Sequence, residues 1–294
     1  MSAANAPPLH SKNFCPALVG SMSQGAAGNP TVAMVEAAFR HHGLHWRYVN
    51  MEVAPGDLPA AVAGARAMGF QGFNLSMPHK VTVIPLLDRL GDSARVIGAV
   101  NCVVRRGDTL VGENTDGQGF LESLTAVLPP AKREIVLFGA GGAARAVAVE
   151  LALAGARKIT VVNRSRARGE ELVSVLREQT SAAAEFVELI GDYSVPSSTD
   201  VVINGTSIGL YDGTARVPVA LDSLRPSMVA ADVVFSPPET RFLREAKGCG
   251  CTCIDGLGML VNQGVIGVRH WTGVSPDIPQ MRKALAEALG VSIP

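Results

Sequence analysis

An α/β protein of two domains is predicted, and three observations carry that expectation. Short apolar runs such as Ile135-Val136-Leu137-Phe138 alternate with alanine-rich helical stretches, the rhythm of strands covered by helices on both faces. A glycine-rich turn, Gly139 to Ala144, joins one of those runs to a helix. At 294 residues the chain is also too long for one ordinary core.

Composition narrows the class. Lys plus Arg number 26 and Asp plus Glu 26, a balance that argues against nucleic acid or an anionic membrane surface as partner. No secretory leader and no apolar stretch long enough to span a bilayer is found. Five cysteines in a chain of this length do not make a disulfide scaffold. The expectation is a soluble cytoplasmic enzyme, monomer or homodimer.

The stretch from residue 134 to 168 is the most informative. Its first strand runs straight into Gly139-Ala140-Gly141-Gly142-Ala143-Ala144, matching G-x-G-x-x-G/A with Ala144 as the third small residue. A helix without proline continues to Leu153, Gly155 ends it, and Ile159 to Val162 is a second strand. Such a unit suits a pyrophosphate. Gly139 allows a tight turn, Gly141 lets the backbone approach the phosphates, and the helix N-terminus offers free N–H groups with a partial positive charge. The alternative is a glycine-rich turn that merely packs helix on strand.

The residues just after the second strand select the dinucleotide. An NAD site presents Asp or Glu there for the ribose 2′-hydroxyl. This chain offers Asn163-Arg164-Ser165-Arg166-Ala167-Arg168, with no carboxylate before Glu170. Guanidinium forks suit a phosphate dianion, so NADP is expected, with NAD as the alternative because arginine also stacks on adenine.

The chain in order begins with a polar arm over residues 1–13. Ala17-Leu18-Val19 reads as a strand leading into a flexible segment from Gly20 to Gly28. Asn29-Pro30 reads as a helix start, with the helix running to His42. His41, His42 and His45 lack a cysteine or acidic partner at metal spacing and read as a polar helix end. Strands are expected over 46–53 and 72–76, helices over 58–68 and 82–90, and a hairpin around Arg106-Gly107-Asp108. A polar, glycine-rich segment from Glu113 to Phe120 precedes a connecting helix that ends near Leu128. Buried strands come next at 201–203, 229–234 and 251–254. On that last strand Cys249, Cys251 and Cys253 would share one face, as small buried residues and not as metal ligands.

Seven motifs in order together resemble the shikimate dehydrogenase family, which includes quinate/shikimate dehydrogenases. They are N-L-S-M-P-H-K (74–80), G-A-V-N (98–101), N-T-D-G-Q-G (114–119), G-A-G-G-A-A (139–144), N-R-S-R-A-R (163–168), N-G-T-S-I-G (204–209) and D-G-L-G-M-L (255–260). The resemblance implies an N-terminal α/β substrate domain, residues 1–116 completed by 255–294, and an inserted Rossmann dinucleotide-binding domain, 117–254. It implies hydride transfer between NADP and the ring hydroxyl or ketone of shikimate or a related cyclohexanoid acid, within aromatic amino acid biosynthesis. Lys80 and Asp116 match the catalytic pair. Ser76, Asn101 and Gln263 match substrate-binding positions. Gly258 and Met259 fall where the nicotinamide packs, Asn163, Arg164, Ser165 and Arg168 match the adenosine-phosphate clasp, and Thr206 and Ser207 lie in the cofactor-side loop. The pair makes chemical sense unaided, since losing a hydride from a secondary alcohol also requires its O–H proton to leave.

Two departures stand out. The family's S-x-S-P, whose serines hold the substrate carboxylate, is replaced by Q-G-A-A-G-N-P-T, leaving Ser21, Ser23 and Asn29 as substitutes. Phe235 stands where tyrosine is usual. A lost hydrogen bond to a charged group costs about 1.5–3 kcal/mol, so either the carboxylate is held elsewhere or the substrate is not shikimate. The N-terminus of the helix that starts at Asn29-Pro30-Thr31 is the expected substitute anion site. Quinate and aminoshikimate dehydrogenases are the rival enzymes, and a catalytically silent dinucleotide-sensing regulator is the rival of another class.

Overall fold

A mixed sheet is laid down by the first half of the chain. Strand β1 (Ala17–Ser23), helix α1 (Thr31–His41) and β2 (Trp46–Glu52) come first, then α2 (Leu58–Ala67) and β3 (Gly72–Leu75). A short helix α3 (His79–Thr82), the two-residue strand β4 (Arg89–Leu90) and α4 (Asp92–Ile97) lead to a hairpin of β5 (Cys102–Arg106) and β6 (Thr109–Glu113). The strand order is β2-β1-β3-β5-β6-β4, parallel from β2 to β3 and antiparallel through the hairpin. The structure, a computed structural model, describes residues 14–290; the polar arm expected over 1–13 lies outside the described residues.

Helix α5 (Thr115–Thr125) carries the chain to a second sheet. Strand β7 (Glu134–Phe138), α6 (Gly142–Leu153), β8 (Lys158–Asn163), α7 (Arg166–Gln179) and β9 (Ala183–Glu188) build one half of it. β10 (Val201–Asn204), β11 (Val229–Asp232), α8 (Arg241–Gly248) and β12 (Thr252–Ile254) build the other. All neighbours are parallel in the order β12-β11-β10-β7-β8-β9, the doubly wound arrangement whose ligand crevice opens where the order reverses, between β7 and β10. Each residue from Ile135 to Phe138 is at most 1% exposed, as expected of a strand covered on both faces.

The last two helices, α9 (Gly256–Thr272) and α10 (Ile278–Leu289), turn back to the first sheet. The Trp271 indole donates to the Val103 carbonyl at 3.0 Å, and Met281 and Leu285 share a core with Met34, Phe39 and Tyr48. Helix α5 sits between the two halves. A Cβ at its Gly117 would lie 2.5 Å from the Ala146 carbonyl oxygen, and one at Gly119 would lie 2.7 Å from that of Met259. Two glycines thus let α5 approach α6 on one side and α9 on the other.

Three expectations need correcting. Residues 82–90 are not a helix: Pro85 has no N–H to continue one, a 3-10 turn closes at Leu86, and Arg89–Leu90 pairs with β6. The flexible segment begins later than expected, because Gly20 to Ser23 continue β1 beside β2. The three cysteines do not share a strand, since Cys249 caps α8, Cys251 precedes β12 and only Cys253 lies within it.

Gly119→Ala would press a methyl group into the α9 backbone and is expected to cost about 1–3 kcal/mol. Gly64→Ala, whose methyl would meet nothing nearer than 3.8 Å within α2, should add about 0.5–1 kcal/mol. Urea midpoints of the two variants, compared at equal m, check the pair.

Candidate active site

A cavity of about 530 Å³ opens between the two sheets, lined from the first half by Ser21, Ser76 and Lys80 and from the second by Ala143, Tyr211 and Phe235. Its position is set by topology. β1 and β3 deliver their C-terminal ends there, while α6 begins there with Ala143 at the rim.

Lys80 and Asp116 meet in its lining. Lys80 Nζ donates to Asp116 Oδ2 at 2.6 Å, and both side chains stay partly accessible to the cavity. Neither arrives by chance. Lys80 lies on α3, just after the loop that leaves β3 through a cis Met77–Pro78 peptide. Asp116 lies in the first turn of α5, which is capped by Asn114 Oδ1 accepting the Gly117 N–H at 3.2 Å. Asn101 joins the two. Its amide nitrogen donates to Asp116 Oδ1 at 2.8 Å and to Thr115 Oγ1 at 3.0 Å, while its Oδ1 accepts the Thr115 N–H at 2.7 Å. The Val100 N–H donates to the Lys80 carbonyl at 2.8 Å, so one backbone segment fixes both partners.

A polar relay runs beneath the cavity. The Asn29 amide donates to Ser21 Oγ at 2.9 Å, and Ser21 reaches the Tyr48 phenol. That phenol donates to Asn74 Oδ1 at 2.9 Å, and the Asn74 amide donates to the Asn101 carbonyl at 3.0 Å. Burial pushes Tyr48 far above the ordinary phenol range, so it remains a donor. Ser21, Ser23, Asn29, Ser76, Asn101 and Gln263, the candidate substrate contacts, all line the cavity. Sequence reasoning passed over Asn74, Tyr48 and Tyr211. Nothing short of the β1–β2–β3 pairing would have placed the first two under Ser21.

The expected anion site at the start of α1 is partly occupied from within the chain. Asn29 Oδ1 accepts the Thr31 N–H at 3.0 Å, and the Gly25 and Ala26 N–H groups, in the turn before the helix, point to the Glu52 carboxylate. The Gly25, Ala26 and Thr31 N–H groups and the Asn29 amide are thus spent within the chain.

The second groove lies at the reversal of the parallel sheet. Gly139 has φ +106°, and a Cβ there would meet the Gly205 carbonyl oxygen at 3.0 Å. A Cβ on Gly141 or Gly142 would meet nothing within 4 Å, and α6 starts with neither a side-chain cap nor an acidic residue in its first turn. Open space above free helix N–H groups fits a dinucleotide pyrophosphate. Asn163 and Ser165 are tied locally, the Asn163 amide donating to the Ser165 carbonyl at 2.9 Å. Arg166 is spent on Glu188 at 2.6 Å and Glu170 at 3.1 Å, whereas Arg164 and Arg168 are exposed and have no carboxylate partner among the described residues. Two guanidinium groups therefore remain for a 2′-phosphate. Thr206 supports its own loop, its hydroxyl donating to Asn204 Oδ1 at 2.6 Å, and Ser207 is exposed beside it. Gly258 instead packs on Ser123, and Met259 lines the cavity. Under the loop, burial pushes the Asp232 carboxyl up to about 6 against donors from Asn204, Val234 and Thr240.

Three family models match the chain in order. They describe the shikimate dehydrogenase substrate binding domain over residues 29–103, shikimate/quinate 5-dehydrogenase over 127–211, and the shikimate 5′-dehydrogenase C-terminal domain over 256–286. The shikimate dehydrogenase (NADP(+)) of Geobacter metallireducens is 42% identical over 279 residues, covering 92% of this chain and 96% of its own. The chain belongs to the shikimate dehydrogenase family. It is an NADP-dependent dehydrogenase with a Rossmann domain. Among solved structures it is similar to the ligand-free 5-ketofructose reductase of Gluconobacter sp. strain CHM43, with 52% identity, a TM-score of 0.92, and coverage of 94% of this chain and 99% of that one. It is also similar to the Thermus thermophilus shikimate 5-dehydrogenase solved with NADP(H) and shikimate, with 34% identity, a TM-score of 0.80 and coverage of 92% and 99%. Among the described residues no helix is long and apolar enough to cross a membrane.

Arg164→Ala is expected to raise the KM for NADP by roughly 10- to 100-fold, the loss of one charge-assisted contact. The KM for NAD should change little. Initial rates with both dinucleotides check this.

Proposed function

We propose that the protein interconverts a secondary alcohol and a ketone on a small polyhydroxylated molecule, using NADP(H), with Lys80 and Asp116 as the proton device. The observation that carries this reading is the 2.6 Å Lys80–Asp116 contact in a polar cavity that the nucleotide-side helix α6 also reaches. NADPH supplies the hydride to the carbonyl carbon. Lys80 Nζ donates a proton to the carbonyl oxygen, and in the oxidising direction neutral Lys80 takes the hydroxyl proton. Asp116 holds the ammonium in place, Asn101 holds Asp116, and Ser76, Gln263 and Ser23 offer hydrogen bonds to ring hydroxyls. On the family's precedent the substrate is 3-dehydroshikimate, reduced to shikimate, or a related cyclohexanoid acid such as quinate. Arg164 and Arg168 with the start of α7 hold the 2′-phosphate.

A second substrate reading is favoured by specific observations. The Gluconobacter relative, 52% identical, is a 5-ketofructose reductase, which acts on an uncharged ketose. In this chain the serine pair is absent, Phe235 lacks a hydroxyl, and the N–H groups before α1 are occupied. An uncharged polyhydroxy ketone needs none of these.

Lys80→Ala should lower kcat by about 10²–10⁴ with dinucleotide binding retained; a variant keeping more than half of the wild-type kcat would reject the acid/base role. NADPH oxidation with 3-dehydroshikimate and with 5-ketofructose, side by side, separates the two substrate readings.

A further inference from the structure

Glu52 is the last residue of β2, opposite Ser23 at the end of β1. Its Oε1 accepts the Gly25 N–H at 2.7 Å and its Oε2 accepts the Ala26 N–H at 2.8 Å. Gly25 lines the cavity in a left-handed conformation, φ 79°, while Glu52 itself does not line it. The wall formed by this turn therefore directs these two donors to the solvent-exposed Glu52 carboxylate and not into the cleft.

Other donors of the segment are spent in the same inward manner. Gly28 N–H goes to the Gly25 carbonyl, Asn29 N–H to that of Ala26, and Thr31 N–H to Asn29 Oδ1. Among the described residues that line the cavity, only Lys80 and Asp116 are charged, and they neutralise each other. A substrate carboxylate entering this end finds no further cation and no aimed N–H among them. It meets the field of Glu52 across one layer of backbone. Hydroxyls meet Ser23 and Gln24, which can both donate and accept.

We propose that Glu52 is a specificity-determining residue whose carboxylate occupies the donors of the Gly25–Ala26 turn and disfavours substrates carrying a carboxylate, leaving the site selective for uncharged polyhydroxy ketones and alcohols. This deepens the second substrate reading and rests on it for the natural substrate, though not for the charge effect itself. Glu52 acts through the wall and does not touch the reacting atoms.

The test compares one ring in two charge states, shikimate and its methyl ester, by the KM of NADP-dependent oxidation and by competition against ketose reduction. In the wild type the acid should be the weaker ligand, and the acid-to-ester ratio should fall as salt rises from about 0.05 to about 0.5 M, where the screening length shortens severalfold. Glu52→Gln, which keeps the shape but not the charge, should lower the ratio by roughly three- to tenfold, between the weak repulsion of like charges in bulk water and the stronger one near a protein surface. Glu52→Asp should retain a ratio closer to the wild type. An unchanged ratio in Glu52→Gln, or equal loss in Glu52→Asp, would overturn the proposal. If Glu52→Gln does not fold, a wild-type ratio at or below one, or one indifferent to salt, overturns it. A wild type that reduces no ketose but reduces 3-dehydroshikimate well would reject the uncharged-substrate reading alone, because the ester ratio is read separately.

Discussion

The cleft depends on how one lysine and one carboxylate from separate elements are brought to 2.6 Å. A half-exposed ion pair adds little to stability by itself, because water screens it and both side chains lose rotamer freedom. The geometry is therefore imposed from outside the pair. The segment Val100–Asn101 supplies it: one backbone N–H is bonded to the Lys80 carbonyl, and the Asn101 side chain reaches both Thr115 and Asp116. Asn101 is 3% exposed, so these bonds are made away from competing water.

That local arrangement has meaning only because the two halves of the chain meet at one cavity. Helix α5 carries Asp116 at its first turn and then wedges between α6 and α9, each approached through a glycine. The candidate pyrophosphate site at the start of α6 and the candidate nicotinamide contact Met259 are thereby referred to the same short helix as the proposed acid/base pair. A displacement of α5 would move Asp116 relative to both. The close backbone packing at Gly117 and Gly119 therefore bears on chemistry as well as on stability.

The sugar-like character of the cavity has a comparable origin. Its polar surface is built from amides and hydroxyls, joined in a relay from Asn29 through Ser21, Tyr48 and Asn74 to Asn101. Buried Tyr48 stays protonated, and each member has a partner before a ligand arrives. Such a floor orders the side chains that face the substrate without presenting a net charge. It suits recognition by hydroxyl pattern. The glycine-rich segment before α1 completes this character by turning its donors inward to Glu52.

The chain order of residues was enough to reveal the parallel nucleotide sheet, the G-A-G-G-A-A turn and the arginines after β8, because these are local signals: apolar runs, glycine spacing and charge within a few positions. Lys80 and Asp116 could be named by motif. Their contact, and the part of Asn101 in it, depend on pairing among β3, β5 and β6, which no local pattern encodes. The failed helix over 82–90 has the same cause, since β4 exists only through its pairing with β6. Charge spacing by itself does not separate Arg166 from Arg164 and Arg168; the end of β9 does, by placing Glu188 beside it. The start of α1 looked open to an anion on its sequence, yet residue 52 had already claimed the N–H groups of the turn before it. That exchange joins residues 26 and 27 positions apart. Hydrogen bonding over such separations is decided by which strands lie side by side, and so by the tertiary structure alone.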